Sequence, residues 1–236
     1  MSCVRRFEAV LIDGRRQAGY EVTMSIIFAA AGRDGYVVAS DSRRHAPDST
    51  SLTDDADQTF ELCSKYLAAS AGLPEIDGVS VRDLVVRRRG ERSELNAPDR
   101  IADDLAEHLV GLLNATKSVE AVELVLVGDR RGPSGFRIET KNDEPGTYAA
   151  TPRDPATLKA PYLTAGDGSA TSGAQLGVHK FMGAKDRTRM LKQLPENALK
   201  DCARQTIAKG VAATTKTPSG ADACGGDPRV LYRVYV

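Results

Sequence analysis

Residues 25–43, S-I-I-F-A-A-A-G-R-D-G-Y-V-V-A-S-D-S-R, constrain the fold more than any other part of this chain. Two apolar runs, 26–31 and 36–39, flank the turn residues Gly32, Arg33, Asp34 and Gly35. Two short strands around an Asp-Gly turn predict a β-hairpin, because Asp-Gly supplies the positive φ angles of a tight hairpin turn. Antiparallel pairing then brings the start of the first strand beside the end of the second, so Ser25 and Asp41 become neighbours. A hydroxyl beside a carboxylate is the skeleton of a nucleophile site.

The remainder of the chain reads as alternating strands and helices. Residues 45–57 are polar and predict a surface loop or short polar strands. Residues 58–62 alternate as a half-buried strand, Lys65 and Tyr66 mark a turn, and 66–72 form an apolar strand ending on Ala71-Gly72. Residues 79–89 fit a short helix or a strand. Pro98-Asp99 opens a helix whose Ile101, Leu105, Leu109, Leu112 and Leu113 recur at three- and four-residue spacing. A strand follows at 122–128, a turn at Gly132-Pro133, another strand at 136–139, and a Pro-rich irregular stretch at 148–162. Gly166-Asp167-Gly168 leads into a helix over 170–182. Pro195 starts a last long helix with Leu199, Ala203, Ile207 and Val211 on one face, and the chain closes on Gly225-Gly226 and a strand over 229–236.

Bulk properties exclude several functions. Lys plus Arg and Asp plus Glu number 32 each, so no net charge draws the chain to nucleic acid or an anionic membrane. No apolar run approaches a membrane span. Cys3, Cys63, Cys202 and Cys224 lack metal-ligand spacing, which excludes a structural zinc motif and fits a reducing, cytoplasmic setting. The expectation is no cofactor, no metal, no nucleic acid and no membrane partner. G-D-G-S-A-T-S-G lacks the spacing of a phosphate-binding loop.

The hairpin, its Ala39-Ser40-Asp41-Ser42-Arg43 end, the Ala71-Gly72 strand end, and the final order of long helix, Gly-Gly and strand resemble proteasome-type subunits. These are a branch of the N-terminal nucleophile hydrolases, and the likeness includes bacterial proteasome homologues. The resemblance implies an α+β fold, a four-layer αββα sandwich of two antiparallel sheets between helical layers. It makes 25–236 one domain and 1–24 a leader, either a mis-assigned start with translation beginning at Met24 or a propeptide. It implies a peptidase or amidase acting on a peptide or amide substrate from a homo-oligomeric ring or helical assembly. Alternatives are a catalytically inactive assembly subunit, or a small-molecule amidase or acyl-transferase.

The resemblance places the nucleophile at Ser25, with Thr23 as its competitor, and the family's carboxylate at Asp41. The family's lysine falls on Asp57 or Gln58 by the two ways of counting, and neither is Lys; Lys65 is an odd step of seven residues past Gln58, which puts it on the other face of a regular strand. Gln58 can donate a hydrogen bond but brings no charge, while Arg43 or Arg44 could supply electrostatic support. The family's Gly-Ser-Gly turn becomes Gly166-Asp167-Gly168, and its later acidic segment becomes Asp222-Ala223-Cys224-Gly225-Gly226. The resulting candidate site is Ser25, Asp41, Gln58, Asp167 and Asp222, with Cys224 a small buried residue behind it.

Overall fold

Hydrogen-bonded pairing, not helix contact, sets the frame. A computed structural model describes residues 25–45, 52–54, 56–118, 121–128, 132–141, 144, 146–153, 162–183, 187–214 and 224–235. Met24, Thr23 and the rest of the expected leader lie outside the described residues. In chain order the elements are β1 (Ile26–Ala31), β2 (Gly35–Ser40), β3 (Arg44–His45), β4 (Leu52–Thr53), β5 (Thr59–Cys63), β6 (Tyr66–Gly72), β7 (Glu75–Ile76), β8 (Val79–Ser80) and α1 (Val81–Glu91). They continue with α2 (Pro98–Thr116), β9 (Val122–Gly128), β10 (Gly132–Thr140), β11 (Tyr148–Arg153), β12 (Tyr162–Gly166), α3 (Gly168–Met182), α4 (Arg187–Leu191), α5 (Glu196–Ala213) and β13 (Arg229–Val234).

The larger sheets are antiparallel throughout. One has the order β12-β1-β2-β13 and the other β11-β10-β9-β6-β5; β3-β4 and β7-β8 are separate two-stranded pairs. The protein is thus α+β, with antiparallel sheets and helices.

Three apolar clusters explain why the strands read as they do. Ile26, Phe28, Ala30, Val37 and Ala39 pack with Ala170, Ala174 and Val178 of α3 and with Leu199, Ala203 and Ile207 of α5. The alternate residues Ile27, Ala29, Tyr36 and Val38 pack with Leu67 and Ala69 of β6 and Val125 and Val127 of β9. Both faces of β1 and β2 are therefore covered, so their sequences are continuous apolar runs and not alternating ones. The opposite faces of β6 and β9 meet Ile101, Leu105, Leu109 and Leu113 of α2 and Val85 of α1.

The helix ends follow local chemistry. Ser80 Oγ accepts the Asp83 N–H at the start of α1, which resolves 79–89 as mainly helical. Pro98 enters α2 at its first turn, and Lys117 closes it in the left-handed region at φ 52°. The expected face of α2 is buried apart from Leu112, which is half-buried, and α5 buries Leu199, Ala203 and Ile207 as its spacing predicts.

Three local expectations are corrected. Gly132-Pro133 is not the turn: both residues lie in β10, with Gly132 opposite Gly128 and Pro133 opposite Val127. Among the described residues β11 pairs with β10 from Gly135 onward, so Pro133 near the start of the strand has Val127 of β9 as its described partner. The stretch from 148 is not irregular at its start, since Tyr148–Arg153 pairs with β10 along its length. Neither Asp34 nor Gly35 has a positive φ. The tip is closed by a Gly32 N–H to Gly35 carbonyl bond of 2.8 Å, and Gly35 is needed because a Cβ there would collide with the Arg233 carbonyl and the Tyr232 ring of β13.

Leu109 is fully buried in the α2 cluster, whereas Leu176 on α3 is 55% exposed. Leu109→Ala is expected to lower stability by about 2–5 kcal/mol in denaturant unfolding, and Leu176→Ala to change it by less than about 0.5 kcal/mol. Equal effects would show that the cluster is not packed as described.

Candidate functional site

Ser25 is 3% exposed and sits immediately before β1, between the end of β12 and the end of β2. Backbone bonds hold it on one side. The Asp167 N–H donates to the Ser25 carbonyl at 2.9 Å, and Ile26 pairs with Gly166. Gly166 has φ +105°, and a Cβ on it would run into the Ser25 carbonyl oxygen. Only glycine tolerates that conformation and that approach together.

Asp41 holds the other side. Its Oδ1 accepts the Ile26 N–H at 2.9 Å and its Oδ2 accepts the Gly225 N–H at 2.9 Å. The carboxylate thus joins the residue after Ser25 to the backbone that leads into β13. Asp41 is fully buried. Loss of solvation pushes its pKa up to about 7, outweighing the N–H donors of Ile26, Gly225 and Arg43, which favour the charged form. The expected adjacency of Ser25 and Asp41 is present in this form, through the backbone of Ile26.

Of Asp57 and Gln58, it is Gln58, just ahead of β5, whose side chain reaches Ser25. Its Nε2 donates to Ser25 Oγ at 2.8 Å and to the Arg43 carbonyl at 3.2 Å. The Arg43 carbonyl can only accept, so it dictates the amide orientation: nitrogen, not oxygen, faces the hydroxyl. Ser25 Oγ therefore receives a hydrogen bond, and its own proton is left for another acceptor. Asp57 is exposed instead, within 3.3 Å of Thr59 Oγ1 and 3.6 Å of Arg82. Lys65 is exposed in the β5–β6 turn, and its carbonyl accepts from Tyr36 Oη at 2.6 Å. The Arg43 guanidinium is bound to Asp54 at 2.8 Å and 3.0 Å.

The remaining candidates play other structural parts. The Asp167 side chain caps α3, accepting from Ala170 N–H at 2.9 Å and from Ser169 Oγ, while its backbone N–H is what binds Ser25. Asp222 lies outside the described residues. Cys224 is fully buried and burial pushes its thiol well up, with the Asp41 charge acting in the same direction; such a thiol is a poor nucleophile.

One further residue at the site is not signalled by any motif in the sequence. Glu123 of β9 is 4% exposed, on the same face as Val125 and Val127. Its carboxylate accepts the Gly166 N–H and lies 3.2 Å from Arg137 Nε. It thereby braces, across the two sheets, the turn whose next N–H holds Ser25. A lone Glu in an otherwise apolar strand, V-E-L-V-L-V-G, was the available signal.

A cavity of about 150 Å³ opens beside Ser25, walled by Gln58, Ser70, Gly72, Ser80 and Arg82 among others. Among the described residues no group of His, Cys, Asp and Glu is placed to hold a metal ion, and no helix is long and apolar enough to cross a membrane. The chain matches no protein-family model and no curated protein.

The Asp41 carboxyl binds its proton more tightly folded than unfolded, where its pKa is about 3.9. From this group, stability is greatest below about pH 4 and is lost as pH rises to about 7. The stability of the native chain relative to Asp41→Asn should therefore increase as pH falls from 7 to 4 in urea unfolding. A difference independent of pH would overturn the assignment.

Proposed function

We propose that this protein is a proteasome-like peptidase or amidase in which Ser25, exposed as the first residue of the working chain, is the nucleophile. The finer fold reading goes with it. Two sheets meeting through one apolar cluster, each covered by helices on its other face, fit the four-layer αββα arrangement of N-terminal nucleophile hydrolases. Residues 25–236 then form one domain and 1–24 a leader that is absent from the working protein.

The observation that carries the reading is the 2.8 Å bond from Gln58 Nε2 to Ser25 Oγ at the wall of a cavity. On this reading an amide stands where the resemblance expects a lysine. In the reaction, Ser25 Oγ attacks the substrate carbonyl carbon and its proton passes to the Ser25 α-amine, whose pKa of about 8 leaves a neutral fraction near pH 7. The amine then protonates the leaving nitrogen as the C–N bond breaks, giving an ester on Ser25. Water, deprotonated by the same amine, hydrolyses that ester and restores the hydroxyl. Gln58 steadies Oγ as negative charge develops, Asp41 fixes the backbone that presents it, and Asp167 holds the Ser25 carbonyl. An amide stabilises that charge less than an ammonium would, so the reaction is slower than a lysine-containing site allows.

The same amide supports a second reading, a catalytically silent subunit retained for homo-oligomeric assembly. Its site would lack the cation that activates the nucleophile, with the buried Asp41 answering to backbone N–H groups alone. A cytoplasmic setting suits either reading.

Mass spectrometry of the purified protein should find Ser25 at the N-terminus, and a peptide epoxyketone or β-lactone should add covalently to it. Ser25→Ala should abolish the adduct, and Gln58→Lys should accelerate labelling by at least about tenfold by supplying the missing charge. A chain retaining Met24, with no adduct on the native protein or on Gln58→Lys, would sink the hydrolase reading. Rings or filaments seen by electron microscopy in that case would favour the assembly subunit.

A further inference from the structure

The cavity wall at Ser25 carries two arginines and one carboxylate, whereas the charges of the whole chain cancel. Lys plus Arg and Asp plus Glu balance at 32 each over the sequence. The cavity beside Ser25 is lined by Arg43, Arg82 and Asp57 as its charged residues. A second cavity of about 470 Å³ shares Asp57 in its wall and adds Arg204 and Arg229, beside β13. In the groove these adjoining cavities make, Asp57 is the one carboxylate among the described lining residues, and Arg82 is the arginine paired with it.

Their partners decide which of them are available. Arg43 is gripped by Asp54 at 2.8 Å and Arg204 by Asp201 at 2.9 Å, both from outside the walls. Arg82 has only a loose pair with Asp57 at 3.6 Å, with side chains 52% and 59% exposed. A pair that long and that wet is worth little and exchanges cheaply for another carboxylate. Arg229 is exposed and makes no ion pair among the described residues. Arg82 is also held in place, its guanidinium 6.0 Å from the centre of the Phe60 ring and its backbone in the first turn of α1, whose positive end favours an anion nearby. Ser80, at the start of that helix, stands in the same wall with Ser70.

We propose that this groove selects acidic substrates: the residue whose carbonyl Ser25 attacks carries an Asp or Glu side chain, which enters the small cavity and pairs with Arg82, and further carboxylates lie against Arg229. The cavity suits one such side chain, being about the volume that accepts a single benzene-sized group. Asp57 is the gate in this scheme, giving up Arg82 to the incoming carboxylate and excluding neutral polar chains that cannot displace it. The inference rests on the reading of Ser25 as the attacking residue only for which substrate position enters the cavity.

The test uses the full chain carrying Ser25→Ala, which keeps the groove and removes the nucleophile. Fluorescein-labelled Ala-Ala-Glu-Glu-Glu-Ala and its Gln counterpart are titrated by fluorescence anisotropy at low ionic strength and again in high salt. The Glu peptide should bind at least about tenfold more tightly, as expected for several partly exposed charge pairs acting together. Salt should erase most of that difference. Adding Arg82→Glu or Arg229→Glu, both at exposed positions, should each remove most of the preference while leaving the melting temperature unchanged. Equal binding of the two peptides, binding of neither, or a preference untouched by both reversals overturns the proposal. Covalent labelling of native Ser25 is a separate readout. An adduct without acidic preference overturns this inference alone, whereas acidic preference in a chain that retains Met24 and forms no adduct, native or as Gln58→Lys, overturns the hydrolase reading alone.

Discussion

A buried carboxylate holds two distant parts of this chain against each other. Asp41, at the end of β2, accepts N–H groups from Ile26 and Gly225, residues that stand 15 and 184 positions away in sequence. Both bonds are formed out of contact with water, where a hydrogen bond is electrostatically stronger and an unmade one more costly. Through them the start of β1 and the approach to β13 take their places on either side of β2, and Ser25 is presented at the rim of the sheet. Glu123 repeats the device from the opposite sheet, holding the Gly166 N–H one residue before the N–H that binds the Ser25 carbonyl. The position of one hydroxyl is thus specified by two buried acids acting on backbone, which leaves little freedom for it to drift.

Such bracing carries an electrostatic consequence. Neither acid spends its charge on the Ser25 hydroxyl, whose partner is the neutral amide of Gln58. The burial that makes Asp41 rigid also makes its ionised form unfavourable, moving its pKa to about 7. A cation in place of Gln58 would change that balance, favouring the ionised Asp41 and withdrawing charge from Oγ in the same stroke. The proposed chemistry therefore leans on the α-amine more heavily than in sites where a lysine shares the task. Cationic groups do occur nearby, but they line the groove and not the hydroxyl: Arg82 and Arg229 face outward, and Arg43 is committed to Asp54.

Much of the fold could be read from local pattern. The β1–β2 pairing, the apolar faces of α2 and α5, and the Gly166-Asp167-Gly168 entry to α3 are all written in local spacing and composition, which periodicity and helix-start signals report even where the packing partners are distant. The failures have specific causes. Gly132-Pro133 carries turn residues but lies within a strand, because its order comes from pairing with Gly128 and Val127 of β9 and not from its own composition. Tyr148–Arg153 looks irregular because its order comes from its partner strand and not from its own composition. Gly35 has the composition of a turn residue, whereas its lack of a side chain serves the approach of β13, nearly two hundred residues later.

At the site, sequence alone determined that Ser25 and Asp41 lie at adjacent ends of one hairpin, since antiparallel pairing follows from two apolar runs and the short turn between them. It also determined that no lysine stands at either counted position, and that the charges of the whole chain cancel. Tertiary structure decided between Asp57 and Gln58, because which side chain reaches Ser25 depends on how β5 sits against the hairpin, a contact across sheets that no local pattern encodes. It also brought Glu123 to Gly166 and gathered arginines from separate segments along one groove. Those are distances between parts of the chain far apart in sequence, and only the packed cores set them.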